Sequence, residues 1–465
     1  MKITAILLAA GQGVRMKSEL PKVLHPVTGQ PMILHALQAA RQASTEKPVV
    51  IVGHGADSVR KVVADLAVCI VQEKQLGTGH AVQQAESALA GKSDLILVTY
   101  ADMPLLCRET LEELVKTQRS NQGPLSLLTI KSEDTRGFGR IIRRSEGSVQ
   151  AIVEEAIATP RQLEIKELNV GAYCFSADWL WQTLRQIKVS SKGEYFLTDT
   201  VEVAVRAGLT VLPLVLDDLL ETIGVNTRVQ LAEAEVAMRQ RINTGHMLAG
   251  VTLIDPQSTY IDSGIIIGKD TVIWPNTILQ TGTEIGRHCE IGPNSIIRAT
   301  KIGNGCKVLA SVLECAILED DVDMGPFARL RKGAHLGQGV HMGNFGEVKD
   351  STLGAGTKMG HFSYIGNATI GPNVNIGAGT VTCNFDGEHK HPTEIGEDVF
   401  IGSDTMLVAP VKIGDRARTG AGAVVTKDVP PDTLAVGMPA RAIRKLEKKK
   451  DESLGIPPAG FAVYP

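Results

Sequence analysis

Two groups of residues, far apart in the chain, carry types and spacings suited to group transfer. Near the start, Leu8-Ala9-Ala10-Gly11-Gln12-Gly13 is followed by Arg15 and Lys22. A glycine-rich turn after a strand lets backbone N–H groups approach phosphate closely. The segment is not a dinucleotide fingerprint, because Met16 stands where a third glycine is needed. A lone Gly-x-Gly carries little weight; with Arg15 and Lys22 at these spacings it reads as a phosphate-handling loop. Late in the chain, His361 sits in Met359-Gly360-His361-Phe362-Ser363-Tyr364. Acyl transfer from a thioester to an amine needs an uncharged amine, a proton acceptor and a donor for the developing oxyanion. His361 is the natural acceptor, although by residue type alone a structural histidine at a turn is an equal alternative.

The elements that must position these groups differ between the two halves. In the first half strands and helices alternate: a strand over 3–8, a helix over 32–42, a strand over 49–52, a helix over 58–66 and a strand over 94–99. That alternation predicts a doubly wound α/β domain with a mostly parallel sheet, with ligands at the carboxyl ends of its strands. Residues 230–243, rich in Ala, Glu, Gln and Arg, predict a connecting helix in which Glu235 and Arg239 are spaced as an i,i+4 pair. Beyond it Ile267, Ile273, Leu279, Ile285, Ile291 and Ile297 recur every sixth residue, and Leu353, Met359 and Ile365, then Ile395, Ile401, Leu407 and Ile413, repeat the pattern. This period fits neither an α-helix nor a flat alternating strand. It fits a triangular coil with one inward aliphatic residue per side. The repeat breaks over 330–349, which holds Arg331, Lys332, His341 and Lys349, and over 381–394, a polar loop. Loops extruded from a rigid coil are where function gathers, although solvated surface charge is the usual fate of residues such as Arg331 and Lys349.

Composition narrows the function classes. A net charge of −3 gives no electrostatic case for binding bulk nucleic acid. The basic run 441–450 reads as a solvated tail. Seven scattered cysteines without a Cys-x-x-Cys pair argue against a secreted disulfide framework and for a reducing, cytoplasmic setting; Cys69, Cys174 and Cys306 lie in apolar stretches and read as buried thiols. The apolar run 3–10 is followed at once by Arg15, Lys17 and Lys22 and reads as a buried strand rather than a signal peptide. No apolar stretch is long enough to span a membrane. The many glycines and few aromatics favour tight turns and small-residue packing over an aromatic core.

The loop at 8–16 with Pro21-Lys22 resembles the signature of sugar-nucleotide pyrophosphorylases. Gln72, Gln75-Leu76-Gly77-Thr78-Gly79-His80-Ala81, Tyr100-Ala101-Asp102-Met103-Pro104, Gly139-Arg140-Ile141, Ile152-Val153-Glu154, Asn169, Glu194-Tyr195 and Gly224-Val225-Asn226 extend the likeness. They are similar to the bacterial bifunctional family that joins UDP-N-acetylglucosamine pyrophosphorylase to glucosamine-1-phosphate N-acetyltransferase. The resemblance covers nearly the whole chain except its extreme C-terminus. It implies a Rossmann-like nucleotidyltransferase domain over 1–227, a linker helix over 228–248, and a left-handed parallel β-helix with a C-terminal tail over 249–465.

The resemblance also implies roles. Leu8, Ala9, Ala10, Gly11, Gln72, Gly77 and Thr78 would hold the nucleotide, and Gly139, Glu154 and Asn169 the N-acetylglucosamine. Asp102 and Asn226 would coordinate Mg²⁺, while Arg15 and Lys22 offset triphosphate charge. In the coil His361 would be the base, Arg331 and Lys349 would bind the sugar phosphate, and Tyr364 and Asn375 its ring. Glu347 would orient His361 or the amine. Asn384 would meet the thioester carbonyl beside Phe385, and Ala378, Ser403 and Ala421 would line an acetyl-CoA groove that Arg441 or Arg444 closes. Co-substrates would be UTP and acetyl-CoA, and the assembly a homotrimer. Val14 and Ala101 depart from residues common in the family, Thr and Gly, without removing a core group; Phe385 replaces a common Tyr. Asp102 alone could be a turn cap ahead of Pro104. Two alternatives remain at this level: a single-activity pyrophosphorylase with a structural or regulatory coil, and a non-enzymatic subunit, which the presence of Arg15, Lys22 and Asp102 disfavours.

Overall fold

The computed structural model describes residues 1–190 and 193–445; the tail after Lys450 and the end of the basic run lie outside the described residues. Contacts divide the chain into two units that part after Arg241. The division falls inside a helix, Arg228–Leu248, longer at both ends than the 230–243 read from composition and equal to the span the resemblance implies. Glu235 on this helix accepts from the backbone N–H of Thr28 (2.7 Å), which ties the helix to a loop of the first unit.

The first unit is built on a mixed sheet. Its strands are β1 (Ile3–Ala9), β2 (Val49–Val52), β3 (Val68–Val71), β4 (Leu95–Tyr100), β5 (Leu125–Lys131), β6 (Arg140–Arg143), β7 (Val149–Val153), β8 (Glu167–Ser176) and β9 (Val211–Leu216). They run in the order β9-β5-β8-β4-β1-β2-β3, with β6 pairing β8 and β7. Every residue of β1 is buried, as expected for a parallel strand covered on both faces. It lies between β2 and β4 and parallel to both, so its carboxyl end emerges beside theirs. β8, antiparallel to β4 and β5, was not legible in the sequence. The predicted helix over 58–66 forms as Ala56–Val63, and Ala64, at φ 44°, breaks it into a short 3₁₀ turn.

The second unit is the predicted coil, a left-handed parallel β-helix. Three sheets form its faces, with twelve, ten and nine strands among the described residues. Along the chain they alternate, beginning with Thr252–Leu253, Tyr260–Ile261 and Ile266–Ile267. The six-residue period is the inward position of each face: Ile273, Leu279, Ile291 and Ile297 are fully buried. Each stacks on its counterpart one coil on, Ile273 on Ile291 and Leu279 on Ile297. Replacing Ile297 by alanine is expected to cost about 2–5 kcal/mol, because the flanking coils are held in register and cannot collapse into the void. Urea unfolding followed on the full chain would show it as a lowered midpoint. Cys174 and Cys306 are buried as expected, whereas Cys69 is half-buried.

Candidate active sites

In the first unit the loops after β1 and β4 meet, with the Ala101 N–H donating to the Leu8 carbonyl (3.1 Å). Gly13 takes a left-handed φ of 65°, and a Cβ there would lie 2.6 Å from Cβ of Lys22. The glycine thus lets the loop pass directly over the lysine. Lys22 in turn donates to Asp102 and to Asn226 Oδ1 (3.0 Å). The Val225 N–H donates to the Asp102 carbonyl (2.9 Å), fixing the two oxygen-bearing side chains beside each other. Arg15 is exposed and makes no recorded bond among the described residues.

Next to this cluster lies a cavity of about 330 Å³, lined among others by Leu8, Ala10, Gly11, Gln72, Gly77 and Thr78. Glu154 lines it too. Burial lifts the Glu154 carboxyl above its usual range and Glu194 adds to the lift, while a bond from Thr198 (3.0 Å) opposes both. Gly139 adjoins this carboxylate: a Cβ on it would sit 3.6 Å from Glu154 Oε2. Asn169 follows on the strand beside Gly139, whose carbonyl accepts from its N–H (2.9 Å). It is buried, donates one amide hydrogen to the Tyr173 hydroxyl (2.7 Å) and accepts from the Gly171 N–H (3.3 Å), which leaves a second amide hydrogen. The cavity also brings in Gln75, Tyr100, Glu194 and Phe196. Three of these fall inside motifs quoted above, but spacing alone gave them no role.

In the second unit the register carries the argument. Lys358 pairs with Asn375, Ile376 with Ile401, and Phe400 with Arg418. Counting on along these strands places His361, Ala378, Ser403 and Ala421 in one column at a corner of successive coils. The cross-coil bonds agree: Asp404 N–H to Ala378 O (2.6 Å) and Gly422 N–H to Ser403 O (2.8 Å). The preceding column is Gly343, Gly360, Gly377, Gly402 and Gly420. A Cβ on Gly343 would meet Gly360 O at 1.8 Å, and one on Gly377 the Ser403 N at 2.5 Å, so the coils approach too closely for side chains there. At about 4.8 Å per coil the site column spans roughly 15 Å. Arg441 pairs with Val436 on the closing strand, whose side chain packs on Gly420, so Arg441 stands at the foot of the column.

Arg331, Glu347, Lys349 and Tyr364 gather just past the corner. Glu347 opposes Tyr364 in register, and Lys349 opposes Gly366. Arg331 donates to Glu347 (2.9 Å), so Glu347 is held by the arginine; the structure records no bond from it to His361. Lys349 pairs with Asp350 (3.3 Å). Asn375 lies on the neighbouring face, ahead of the same corner. Asn384 is buried and spends one amide hydrogen on Asn367 Oδ1 (2.6 Å); Phe385 is exposed. The loop 384–391 is closed by a bridge between Phe385 and Lys390 and by Asp386, which accepts from Glu388, His389 and His391. This loop delivers a residue missed in the sequence. The positive charge of Lys349 holds the Lys390 ammonium below the usual lysine range. Only the folded loop reveals that influence. His361 is exposed and takes no recorded bond among the described residues.

The fold and these two sites define a nucleotidyltransferase joined to a hexapeptide-repeat acyltransferase. Residues 5–197 match the model of the MobA-like NTP transferase domain, and residues 264–299 and 392–427 match that of the bacterial transferase hexapeptide (six repeats). The chain is 42% identical to the Bifunctional protein GlmU of Shouchella clausii over 96% of its own length and 99% of that protein's. It is 45% identical to proteins of the same name from Geotalea uraniireducens, over 96% and 99%, and from Pelobacter propionicus, over 93% and 95%. The chain belongs to the bifunctional GlmU family, and it is an enzyme with both uridylyltransferase and acetyltransferase activity.

Proposed function

We propose that the two activities form one short route to UDP-N-acetylglucosamine, with the residues assigned as follows. At the coil site the amine of glucosamine 1-phosphate attacks the thioester carbonyl of acetyl-CoA. A C–N bond forms, the C–S bond breaks, His361 takes the amine proton, and coenzyme A leaves as thiolate to be protonated. Asn384 has a second amide hydrogen to offer the developing oxyanion. The observation that carries this assignment is the register, which sets Arg331 opposite Lys349 and both beside Tyr364 just past the His361 column. Arg331 and Lys349 hold Glu347 (2.9 Å) and Asp350 (3.3 Å), and a sugar phosphate, a stronger multidentate anion, would compete for the same two cations. The His361–Ala421 column beside it gives an extended cofactor a track. Lys390→Ala is expected to raise KM for glucosamine 1-phosphate about tenfold with little change in kcat, because it weakens ground-state and transition-state binding alike; initial-rate kinetics of coenzyme A release would show it.

At the first site a phosphate oxygen of N-acetylglucosamine 1-phosphate attacks the α-phosphorus of UTP, and pyrophosphate leaves. The nucleophile is already an anion, so no general base is needed; the barrier is anion repulsion. Arg15 and Lys22 oppose that repulsion. Leu8, Ala9, Ala10, Gly11, Gln72, Gly77 and Thr78 hold the nucleotide, and Gly139, Glu154 and Asn169 the sugar. Asp102 and Asn226 fit a Mg²⁺: a carboxylate and an amide oxygen, both hard donors, converge on one cationic point, the Lys22 ammonium. Bound there, the ion would add charge compensation for the triphosphate.

We further assign a homotrimeric, cytoplasmic enzyme. Counting on from Met324–Met342 and Met342–Met359 aligns Phe327, Phe345 and Phe362 in one exposed column, and the first two rings stack at 5.5 Å. Such a strip favours cover by another copy. Among the described residues no helix is long and apolar enough to cross a membrane. The testing experiment supplies glucosamine 1-phosphate, acetyl-CoA, UTP and Mg²⁺, and follows coenzyme A and pyrophosphate separately. Release of both is expected. Pyrophosphate from N-acetylglucosamine 1-phosphate without any coenzyme A release would leave the coil structural or regulatory.

A further inference from the structure

In Gly139-Arg140-Ile141 the glycine adjoins Glu154, and the arginine beside it lies buried. Arg140 opposes Val153 on one side and Leu168 on the other. Gly139 therefore stands between Glu154 and Asn169, in one row at the ends of β6 and β7 and on β8. The Asn169 N–H bonds the Gly139 carbonyl (2.9 Å). A closed antiparallel pair would add the return bond, from the Gly139 N–H to the Asn169 carbonyl. That bond is absent, and the Gly139 N–H takes no other recorded bond among the described residues. Gly139 is buried, and a buried N–H without a protein partner is rare. An incoming acceptor would satisfy it.

Arg140 Nη1 donates to the Phe138 carbonyl, and Nη2 donates to Glu155 Oε2 (3.0 Å), on the turn that follows Glu154. Its Nε has no partner among the described residues, and Glu155 is itself partly exposed. A buried guanidinium with one donor unmet and one partly solvated carboxylate adds little stability over an apolar side chain of like volume. Stability therefore does not account for this arginine.

We infer that Arg140 is a positioning residue for sugar binding: by holding the Phe138 carbonyl it aims the Gly139 N–H at an acceptor oxygen of the sugar. That carbonyl and that N–H belong to one planar trans peptide unit, so fixing the oxygen on the guanidinium fixes the N–H on the opposite side. Recognition at 139 falls to the backbone, because a Cβ there would press on Ile152 Cγ2 (3.1 Å) and the Val153 carbonyl (3.3 Å). The bond to Glu155 secures the other flank, so one guanidinium ties the residue before Gly139 to the residue after Glu154. Arg140 itself does not line the cavity. The inference rests on the assignment of Gly139 and Glu154 to the sugar.

The test uses the full chain with UTP, N-acetylglucosamine 1-phosphate and Mg²⁺. It measures kcat and both KM values for pyrophosphate release, with the urea midpoint alongside. Arg140→Met is expected to raise KM for N-acetylglucosamine 1-phosphate about tenfold, the scale of one hydrogen bond. KM for UTP, kcat and the midpoint should be nearly unchanged. If the methionine variant fails to fold, Arg140→Lys decides. Its ammonium keeps the charge but lacks the planar fork that spans two acceptors, so a several-fold rise in the sugar KM alone is expected. Glu154→Ala tests the underlying assignment. If it leaves the sugar KM unchanged, the wall does not bind the sugar and the premise fails. If Glu154→Ala raises that KM while the Arg140 variants keep it, the premise stands and the role of Arg140 is overturned. Equal rises in both KM values with a lowered midpoint also overturn it and make Arg140 a structural residue.

Discussion

With His361 replaced by alanine, coenzyme A release from glucosamine 1-phosphate and acetyl-CoA is expected to fall about 10²–10⁴-fold, the usual worth of a positioned general base. Pyrophosphate release from N-acetylglucosamine 1-phosphate and UTP should not change. His361 is exposed, and no recorded hydrogen bond or ion pair ties it to the described residues, so removing the imidazole takes nothing from the fold. The inward positions flanking it, Met359 and Ile365, are fully buried and keep the corner in place. A loss of chemistry without a loss of stability therefore separates the base from a corner histidine. A lowered unfolding midpoint with acetyl transfer intact would identify it as structural. Supplying the acetylated sugar phosphate should restore full output of the variant, because the first unit has its own core and its own site.

Asp102→Ala is expected to do the reverse. Pyrophosphate release should fall by on the order of 10²–10³-fold, the scale for removing one preorganised charge-stabilising group from a transition state. Coenzyme A release should be unaffected. The substitution deletes one of the two oxygens that converge on Lys22 and leaves that ammonium bonded to Asn226 alone. The loop should hold its place, because the Val225 N–H bonds the backbone carbonyl of Asp102 rather than its side chain. If a metal ion is anchored there, the variant should need more Mg²⁺ for its residual rate; an unchanged Mg²⁺ dependence would remove Asp102 from the ligand set.

Much of this was legible without coordinates, for physical reasons. A parallel strand buried on both faces must be apolar throughout, and Ile3–Ala9 is. Each side of a three-sided coil buries the same positions in every turn, the aliphatic residue and a small one two before it (Thr271 and Ile273, Thr277 and Leu279), so the sequence shows the length of the side as its period. Turn glycines before cations mark a phosphate loop because only backbone N–H groups, close cations and small residues can handle that charge. Tertiary pairing was less legible. β8 joins the sheet antiparallel because the β6–β7 hairpin precedes it, and no local pattern records strand direction. Glu235 has the spacing of a helical ion pair, and it also bonds the backbone of Thr28, more than two hundred residues away in the chain, which no spacing foretells. Asn169 sits in a family motif, but the bulge in β8 turns its amide to Tyr173.

The sequence by itself determined the two fold types and nominated residue types for each chemistry, because these depend on periodicity and on local backbone demands. Only the tertiary structure decided which of those residues meet. The column from His361 to Ala421 exists because coils of unequal length stack in register, and the extruded loop 384–391 lengthens one of them without shifting the next. The place of Lys390 is set because Asp386 and the Phe385–Lys390 bridge close that loop. Lys22 meets Asp102 and Asn226 because parallel strands bring separate loops to one edge of the sheet. Such contacts join residues distant in sequence, and their geometry is set by packing between elements, which no local pattern encodes.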